Sequence, residues 1–141
     1  MGSAIYDGNF MDLKKHNPFG DGECAAMPQA LTNVGHTSKW RPGLRVMDLV
    51  YLQPGTVIAN FKFMPGFLRR FPNEHGYHAS LFVEFAPKSM STGEPLGIVV
   101  IDQWSGRMVL PRTIIAYTEE QARKRRVYPS DNANEFYVVM S

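Results

Sequence analysis

The chain is organised around Gly22-Glu23-Cys24-Ala25-Ala26-Met27-Pro28-Gln29-Ala30-Leu31. This stretch contains the only cysteine among the 141 residues. Gly22 closes a turn, and the Ala, Met, Gln and Leu side chains after Cys24 favour a helix. A thiol at a helix start lies among unpaired backbone N–H groups and at the positive end of the helix dipole. Both favour the nucleophilic thiolate. The stretch therefore predicts a helix from about Cys24 to Val34 with a candidate nucleophile at its first residue.

Two features qualify this interpretation. A lone cysteine can also be a small buried hydrophobic residue without chemistry. Pro28 would lie near the fourth helical position, where its ring crowds the carbonyl four residues earlier. Either the helix begins a residue or two later, or its first turn is distorted beside the nucleophile.

Length and composition limit the possible classes of protein. A chain of 141 residues, 44% of them hydrophobic, predicts a single domain over residues 1–141 with a sizeable core. One cysteine excludes an internal disulfide. The net charge of +2 does not argue for nucleic acid as a partner. No run of 18 apolar residues predicts a membrane span, and the N-terminus lacks a signal-peptide pattern. We therefore expect no membrane insertion and, for action outside the cell, export by another route.

Strands dominate the sequence after the first helix. Branched and aromatic residues and alternating polarity predict them at Thr56 to Phe63, His78 to Phe85, Gly97 to Trp104, Thr113 to Tyr117 and Glu135 to Met140. Residues 36–43 and Met64 to Gly76 are predicted loops. Thr118-Glu119-Glu120-Gln121 matches a capping box that begins a second helix. The predicted class is α+β, a helix packed on a small antiparallel sheet.

Three residues have the chemistry of a thiol acyl transferase. Such an enzyme needs a base within reach of the thiol and a third group that orients the base. His78 opens one predicted strand, and Asp102 ends the next, where a buried carboxylate requires a charged or donating partner. Gln103 is a weaker third member because period two sends its side chain to the opposite face. The order Cys24, His78, Asp102 therefore predicts a catalytic triad.

Five segments together resemble a known family. They are Gly22-Glu23-Cys24-Ala25-Ala26-Met27, Trp40-Arg41-Pro42-Gly43, Gly55-Thr56-Val57-Ile58-Ala59, His78-Ala79-Ser80-Leu81 and Val100-Ile101-Asp102-Gln103-Trp104. The resemblance is to NlpC-type, papain-like cysteine amidases, a group that includes peptidoglycan amidase effectors of type VI secretion systems. It covers residues 22–104 and leaves residues 105–141 without a matching motif.

The resemblance implies a papain-like fold, with Cys24 as nucleophile, His78 as base and Asp102 as the residue that orients it. It also implies hydrolysis of an amide bond in peptidoglycan peptide stems, without metal or cofactor. We weakly favour the diaminopimelate–D-alanine cross-link over the D-glutamyl–diaminopimelate bond. A further implication is a cognate immunity protein that blocks the site. Absence of a signal peptide fits an effector injected into the periplasm of a target cell.

Trp40, Tyr77 and Gln103 are candidates for the substrate cleft, although Trp40 could equally fasten a loop to the core. Two other classes of protein remain open. One is a zinc-dependent hydrolase that uses His75 and His78 with Cys24 or Asp102, although spacing of three on a strand points the two histidines to opposite faces. The other is a non-catalytic wall-binding module in which Trp40, Trp104 and Tyr77 stack on sugars.

Overall fold

The computed structural model describes residues 2–63, 69–72 and 74–141. In these ranges the helices are α1 (Ala26–Leu31) and α2 (Glu119–Arg125). The strands are β1 (Arg41–Arg45), β2 (Val57–Ala59), β3 (Lys62–Phe63), β4 (Arg69–Arg70), β5 (Ala79–Phe85), β6 (Gly97–Trp104), β7 (Arg107–Ile115) and β8 (Tyr137–Met140).

A six-stranded sheet in the order β1-β8-β2-β5-β6-β7 forms the centre of the molecule. Every neighbouring pair in it is antiparallel. Strands β3 and β4 form a separate antiparallel pair. The predicted mixture of helix and antiparallel sheet is confirmed.

Both faces of the sheet are covered by apolar side chains. Met27 of α1 packs with Ala79 and Leu81 of β5 on one face, whereas Phe82 packs on the other face in a second cluster. This alternation follows from the two-residue period of a strand, as the sequence predicts. A bulge between Phe82 and Glu84 then shifts the register, and the Phe85 ring lies 4.9 Å from that of Phe82. The predicted alternation therefore holds only for the first half of β5.

Helix α1 is shorter than predicted. It begins at Ala26 and ends at Leu31, not from Cys24 to Val34. Its first backbone bond of the helical type runs from the N–H of Gln29 to the carbonyl of Ala25. Pro28 therefore occupies a first-turn position whose N–H has no partner within a helix, so proline costs no hydrogen bond there. The later start resolves the conflict that Pro28 raised.

Strand β1 begins inside the predicted loop of residues 36–43, and β7 begins six residues before the predicted Thr113. Both strands are at edges of the sheet and both contain proline, Pro42 and Pro111. An edge strand tolerates proline because one side of its backbone needs no partner. The sequence pattern alone does not reveal which strand is at an edge.

The strand predicted from Thr56 to Phe63 is divided at Asn60 into β2 and β3. The predicted capping box at Thr118 is confirmed, and α2 follows it. Of the predicted loop from Met64 to Gly76, residues 64–68 and 73 lie outside the described part of the chain. Among the described residues no helix combines the length and the apolar character that a membrane span requires.

Candidate active site

Cys24 lies in the turn that leads into α1, two residues before the helix begins. Gly22 has a φ of +87°, a conformation that residues with a Cβ rarely adopt, and it bends the chain toward the helix. Among the described residues, the backbone N–H of Cys24 donates no hydrogen bond within the chain. The partly exposed thiol is therefore accompanied by a free donor, although Cys24 precedes the helix and does not begin it as predicted.

Gln103 of β6 anchors this turn through side-chain hydrogen bonds. Its Nε2 donates to the carbonyls of Phe19 (2.9 Å) and Glu23 (2.8 Å), and its Oε1 accepts from the N–H of Phe19 at 2.7 Å. The side-chain amide of Gln103 thus makes three hydrogen bonds to the turn, and the residue is fully buried. The prediction that Gln103 lines the cleft is therefore wrong: it fastens the turn that carries Cys24 to β6.

His78 and Asp102 form a buried pair at the end of the sheet. The Nε2 atom of His78 lies 2.8 Å from Oδ2 of Asp102. His78 is 6% exposed and Asp102 is not exposed at all. Because Nε2 is engaged by the carboxylate, Nδ1 is the ring nitrogen left for the thiol. The structure thus brings together two of the residues that the sequence analysis selected.

Asn60 fixes the backbone of His78. The N–H of His78 donates to Oδ1 of Asn60 at 2.9 Å, and the N–H of Asn60 donates to the carbonyl of His78 at 2.9 Å. Nδ2 of Asn60 donates to the carbonyls of Pro129 and Glu135. The sequence gives no local sign of this role, because the partners are 18 to 75 positions away.

The environment shifts the protonation of both members of the pair. Burial by itself lowers the pKa of His78, but the hydrogen bond to Asp102 and the interaction with the Cys24 thiol outweigh it and raise that pKa from 6.5 to about 9. Burial raises the pKa of Asp102, whereas the bond to His78 and the charges of Arg112 and Arg107 lower it, with a lowered pKa as the result. The site therefore favours an imidazolium beside a carboxylate, and it brings Cys24 into electrostatic contact with His78.

Two arginines from β7 complete the surroundings of Asp102. Nη1 of Arg107 lies 2.9 Å from Oδ1, and Nε of Arg112 lies 3.0 Å from Oδ2. Oγ of Ser80 donates to the same Oδ2 at 3.3 Å. Sequence reasoning missed both arginines. A signal existed, since the Ser105-Gly106 turn after β6 is typical of a hairpin that returns β7 alongside Asp102.

Trp104 packs beside the pair. Its ring contacts the His78 ring edge to face, with centroids 5.8 Å apart. The guanidinium carbon of Arg107 lies 4.1 Å from the indole centroid on this partly exposed ring. Trp104 therefore packs against both the candidate base and one of the arginines that bond Asp102.

A cleft of about 1250 Å³ opens over these groups. Cys24 and His78 line it, and so do Tyr77, Trp104 and Arg112. Gly76 allows the Tyr128 ring to pack closely against the backbone in the wall of the cleft, because a Cβ at position 76 would lie 2.9 Å from Cδ1 of Tyr128. The predicted place of Tyr77 at the cleft agrees with this geometry.

Trp40 does not take part in the cleft. It is fully buried, its Nε1 donates to the carbonyl of Gly35 at 3.1 Å, and its ring lies 5.0 Å from that of Phe71. The expectation that Trp40 walls the cleft, or stacks on a sugar, is therefore wrong, and its role as a core anchor holds.

The residues of the alternative zinc site are not assembled around one point. The His75 ring packs edge to face against Tyr128 at 5.0 Å, whereas Nε2 of His78 is bonded to Asp102. Within the part of the chain that the structure describes, no group of three His, Cys, Asp or Glu side chains has the geometry to hold a metal ion.

Known proteins resemble the chain over nearly its whole length. The family model described as domesticated amidase effector 2 matches residues 14–139. A solved structure, type 6 secretion amidase effector 2, aligns with a TM-score of 0.73 at 28% sequence identity, covering 96% of this chain and 92% of that one. No curated protein matches the sequence. Cys24, His78 and Asp102 all lie inside the matched range.

Proposed function

Because the chain belongs to the domesticated amidase effector 2 family, we propose that it is a cysteine amidase that hydrolyses an amide bond in the peptide stems of peptidoglycan. One observation carries the proposal. The 2.8 Å contact between His78 and Asp102 lies at a cleft that the Cys24 thiol also lines. A thiol nucleophile, a base near it and a carboxylate that orients the base are the groups that acyl transfer requires.

Acylation uses the three residues in turn. The sulfur of Cys24 attacks the amide carbonyl carbon, and the thiol proton resides on Nδ1 of His78. The oxyanion accepts from the free N–H of Cys24 in the turn before α1. His78 then donates its proton to the leaving amine, the C–N bond breaks, and a thioester with Cys24 remains. Asp102 keeps the ring oriented and stabilises its charged form.

Deacylation reverses the proton transfers. Neutral His78 accepts a proton from a water molecule, whose oxygen attacks the thioester carbonyl. The carbon–sulfur bond breaks, the carboxylic acid product leaves, and the proton on His78 restores the thiol–imidazole pair. No metal or cofactor enters either half of the reaction that we propose.

The finer assignments belong to the same proposal. We assign the fold to the NlpC-type, papain-like enzymes, on the support of a nucleophile before a helix, a base at a strand start and a carboxylate on the next strand. We favour the diaminopimelate–D-alanine cross-link as the bond that is cut. The name of the similar solved structure, type 6 secretion amidase effector 2, supports delivery by that system into the periplasm of a target cell. A cognate immunity protein is the partner that this role requires.

Digestion of purified sacculi tests the proposal. The parent protein should release muropeptides, and their masses identify the bond. Cys24→Ala should reduce release by at least about 10³-fold, because it removes the nucleophile. Circular dichroism should show the parental fold, since Cys24 is in a surface turn. Iodoacetamide should inactivate the parent, whereas EDTA should not.

Histidine substitutions provide the matched control. His78→Ala should be nearly as damaging as Cys24→Ala, because the thiol loses its base. His75→Ala also removes a ring at the cleft, yet should retain most activity. Parental release of muropeptides by Cys24→Ala, or an essential His75 beside a dispensable His78, would contradict the cysteine mechanism.

A further inference from the structure

Arg107 and Arg112 surround a carboxylate that already has a charged partner. Arg107 bonds both Oδ1 and the backbone carbonyl of Asp102, each at 2.9 Å. Arg112 spans the cleft wall: Nη1 lies 2.9 Å from Oδ1 of Asp131, and Nη2 donates to the carbonyl of Ser130 at 3.0 Å. Both arginine side chains are mostly buried, 16% and 19% exposed. Neither guanidinium can leave Asp102 without breaking several bonds.

Arg112 and His78 compete for one oxygen atom. Nε of Arg112 lies 3.0 Å from Oδ2 of Asp102, and Nε2 of His78 lies 2.8 Å from the same atom. A guanidinium and an imidazolium held on one oxygen are like charges at short range, which disfavours the imidazolium. Two guanidinium groups thus share the single negative charge of buried Asp102, and only the exposed carboxylate of Asp131, on the far side of Arg112, offsets part of their charge.

A single buried carboxylate beside His78, with no arginine near it, would hold the imidazole proton strongly. The reaction requires the opposite at one step, because His78 must transfer that proton to the leaving amine. Proton transfer is efficient when the affinity of the acid for its proton is moderate.

We propose that Arg107 and Arg112 are positioning residues that share the negative charge of Asp102, so that His78 is oriented by the carboxylate and still releases its proton to the leaving amine. The proposal rests on the function proposed above for His78. It assigns a part in the chemistry to β7, which lies outside the segments that carry the family resemblance.

Every charged or titratable group that bears on His78 enters the test. Those in contact with it or lining the same cleft are Asp21, Glu23, Cys24, His36, Glu74, His75, Tyr77, Asp102, Arg107, Arg112, Tyr128 and Asp131. The substitutions below change only the arginines.

The direct measurement is the titration of the His78 ring by NMR in the Cys24→Ala protein, which needs no activity. Arg112→Gln should raise the pKa of His78 by about half a unit or more, because it removes a repelling charge from the shared oxygen. Arg112→Lys keeps a charge there and should leave the pKa closer to that of Cys24→Ala alone. Arg107→Gln and Arg107→Lys form a second pair if Arg112→Gln does not fold.

Kinetics on a muropeptide supply the second readout, in proteins that keep Cys24. Arg112→Gln should lower kcat about 10-fold and move the basic limb of the kcat profile to higher pH. Arg112→Lys should recover much of both. A merely structural arginine would change thermal stability without moving the basic limb.

An unchanged or lowered pKa of His78 in both glutamine variants would overturn the proposal. A lowered value would mean that the arginines only hold Asp102 in place. Because the titration uses an inactive protein, failure of the charge-sharing role is distinguishable from failure of peptidoglycan hydrolysis, which the sacculus digestion tests separately.

Discussion

At the scale of single residues, Asp102 contacts more of the other site residues than its position near the end of a strand suggests. It is fully buried and accepts hydrogen bonds from His78, Ser80, Arg107 and Arg112. A buried carboxylate is tolerated only when its lone pairs are satisfied. The charge of Asp102 therefore serves the fold and the chemistry at once, and removing it should affect both.

Asp102→Asn preserves shape but removes the charge. We expect kcat to fall roughly 10²- to 10⁴-fold with a smaller change in KM, because the imidazolium loses its stabilising partner. The free energy of unfolding should fall by about 2 to 4 kcal/mol, since two mostly buried guanidinium groups lose their counter-charge. Steady-state kinetics on one muropeptide and urea denaturation measure the two effects.

Asp131→Asn is the matched control for this change. Asp131 bonds the same Arg112, but its side chain is 59% exposed. Exposed ion pairs contribute about 0 to 1 kcal/mol, so both stability and kcat should stay near the parent. Equal losses in the two variants would contradict the special role of Asp102.

At the scale of elements, strand β6 joins the two halves of the site. Asp102 points to His78 on one side of the strand, and the neighbouring Gln103 bonds the turn before α1 on the other. Successive side chains of a strand point to opposite faces. One strand thereby sets the position of the base and that of the nucleophile.

Gln103→Ala should loosen the turn that carries Cys24. The backbone groups of Phe19 and Glu23 would lose three hydrogen bonds. Unsatisfied buried groups cost about 1 to 3 kcal/mol each, so we expect a loss of at least about 2 kcal/mol in unfolding free energy and a lower kcat. The NMR titration of His78 in the Cys24→Ala background should change little.

Gln29→Ala offers a comparison on α1. Gln29, unlike Gln103, lines the cleft, and its side chain donates a single hydrogen bond, to the carbonyl of Gly35. Its replacement should cost about 1 kcal/mol or less. If Gln103→Ala were dead while Asp102→Asn kept the parental kcat, the third catalytic role would pass from Asp102 to Gln103.

At the scale of the whole molecule, the buried charges make stability depend on pH. The pKa of His78 is raised from 6.5 to about 9 in the folded state, so its stabilisation is complete below about 6.5 and is lost as pH rises through about 9. The pKa of Asp102 is lowered from 3.8, so its contribution is present above that value and is lost as pH falls through the folded pKa. The free energy of unfolding should therefore be greatest between the ordinary pKa of Asp102, 3.8, and that of His78, 6.5.

We predict that the free energy of unfolding decreases between pH 6.5 and 9 by an amount on the order of 3 kcal/mol at most, the full effect of the raised pKa. Urea denaturation at several pH values measures it. His78→Gln removes the titrating ring and should flatten the curve over this interval. A curve with the same slope in His78→Gln would assign the pH dependence to other groups.

Local patterns in the sequence foretold much of the fold. Strand β6 has the predicted bounds, from Gly97 to Trp104, because a continuous apolar run ended by Ser105-Gly106 is unambiguous. The capping box at Thr118 marks the start of α2 by hydrogen bonds within four residues. Cys24 and Asp102 were selected as candidate site residues in the same way, because a thiol before a helix and a carboxylate in an apolar strand are each unusual within their own segment.

Contacts between distant segments were decided only by the tertiary structure. Trp40 and Gln103 were both candidates for the substrate cleft, but both side chains are fully buried. Trp40 packs in the core, and Gln103 anchors the turn that carries Cys24. Burial of this kind depends on which element packs against a side chain. Arg107 and Arg112 became part of the site through the register of β7 on β6, where a shift of one residue would have turned each to the other face. Asn60, between β2 and β3, became part of it through hydrogen bonds to distant segments. The sequence by itself determined which residues can do chemistry. The order of the strands determined which of them meet, because pairing between strands that are distant in the sequence, unlike a hairpin, leaves no mark on local composition.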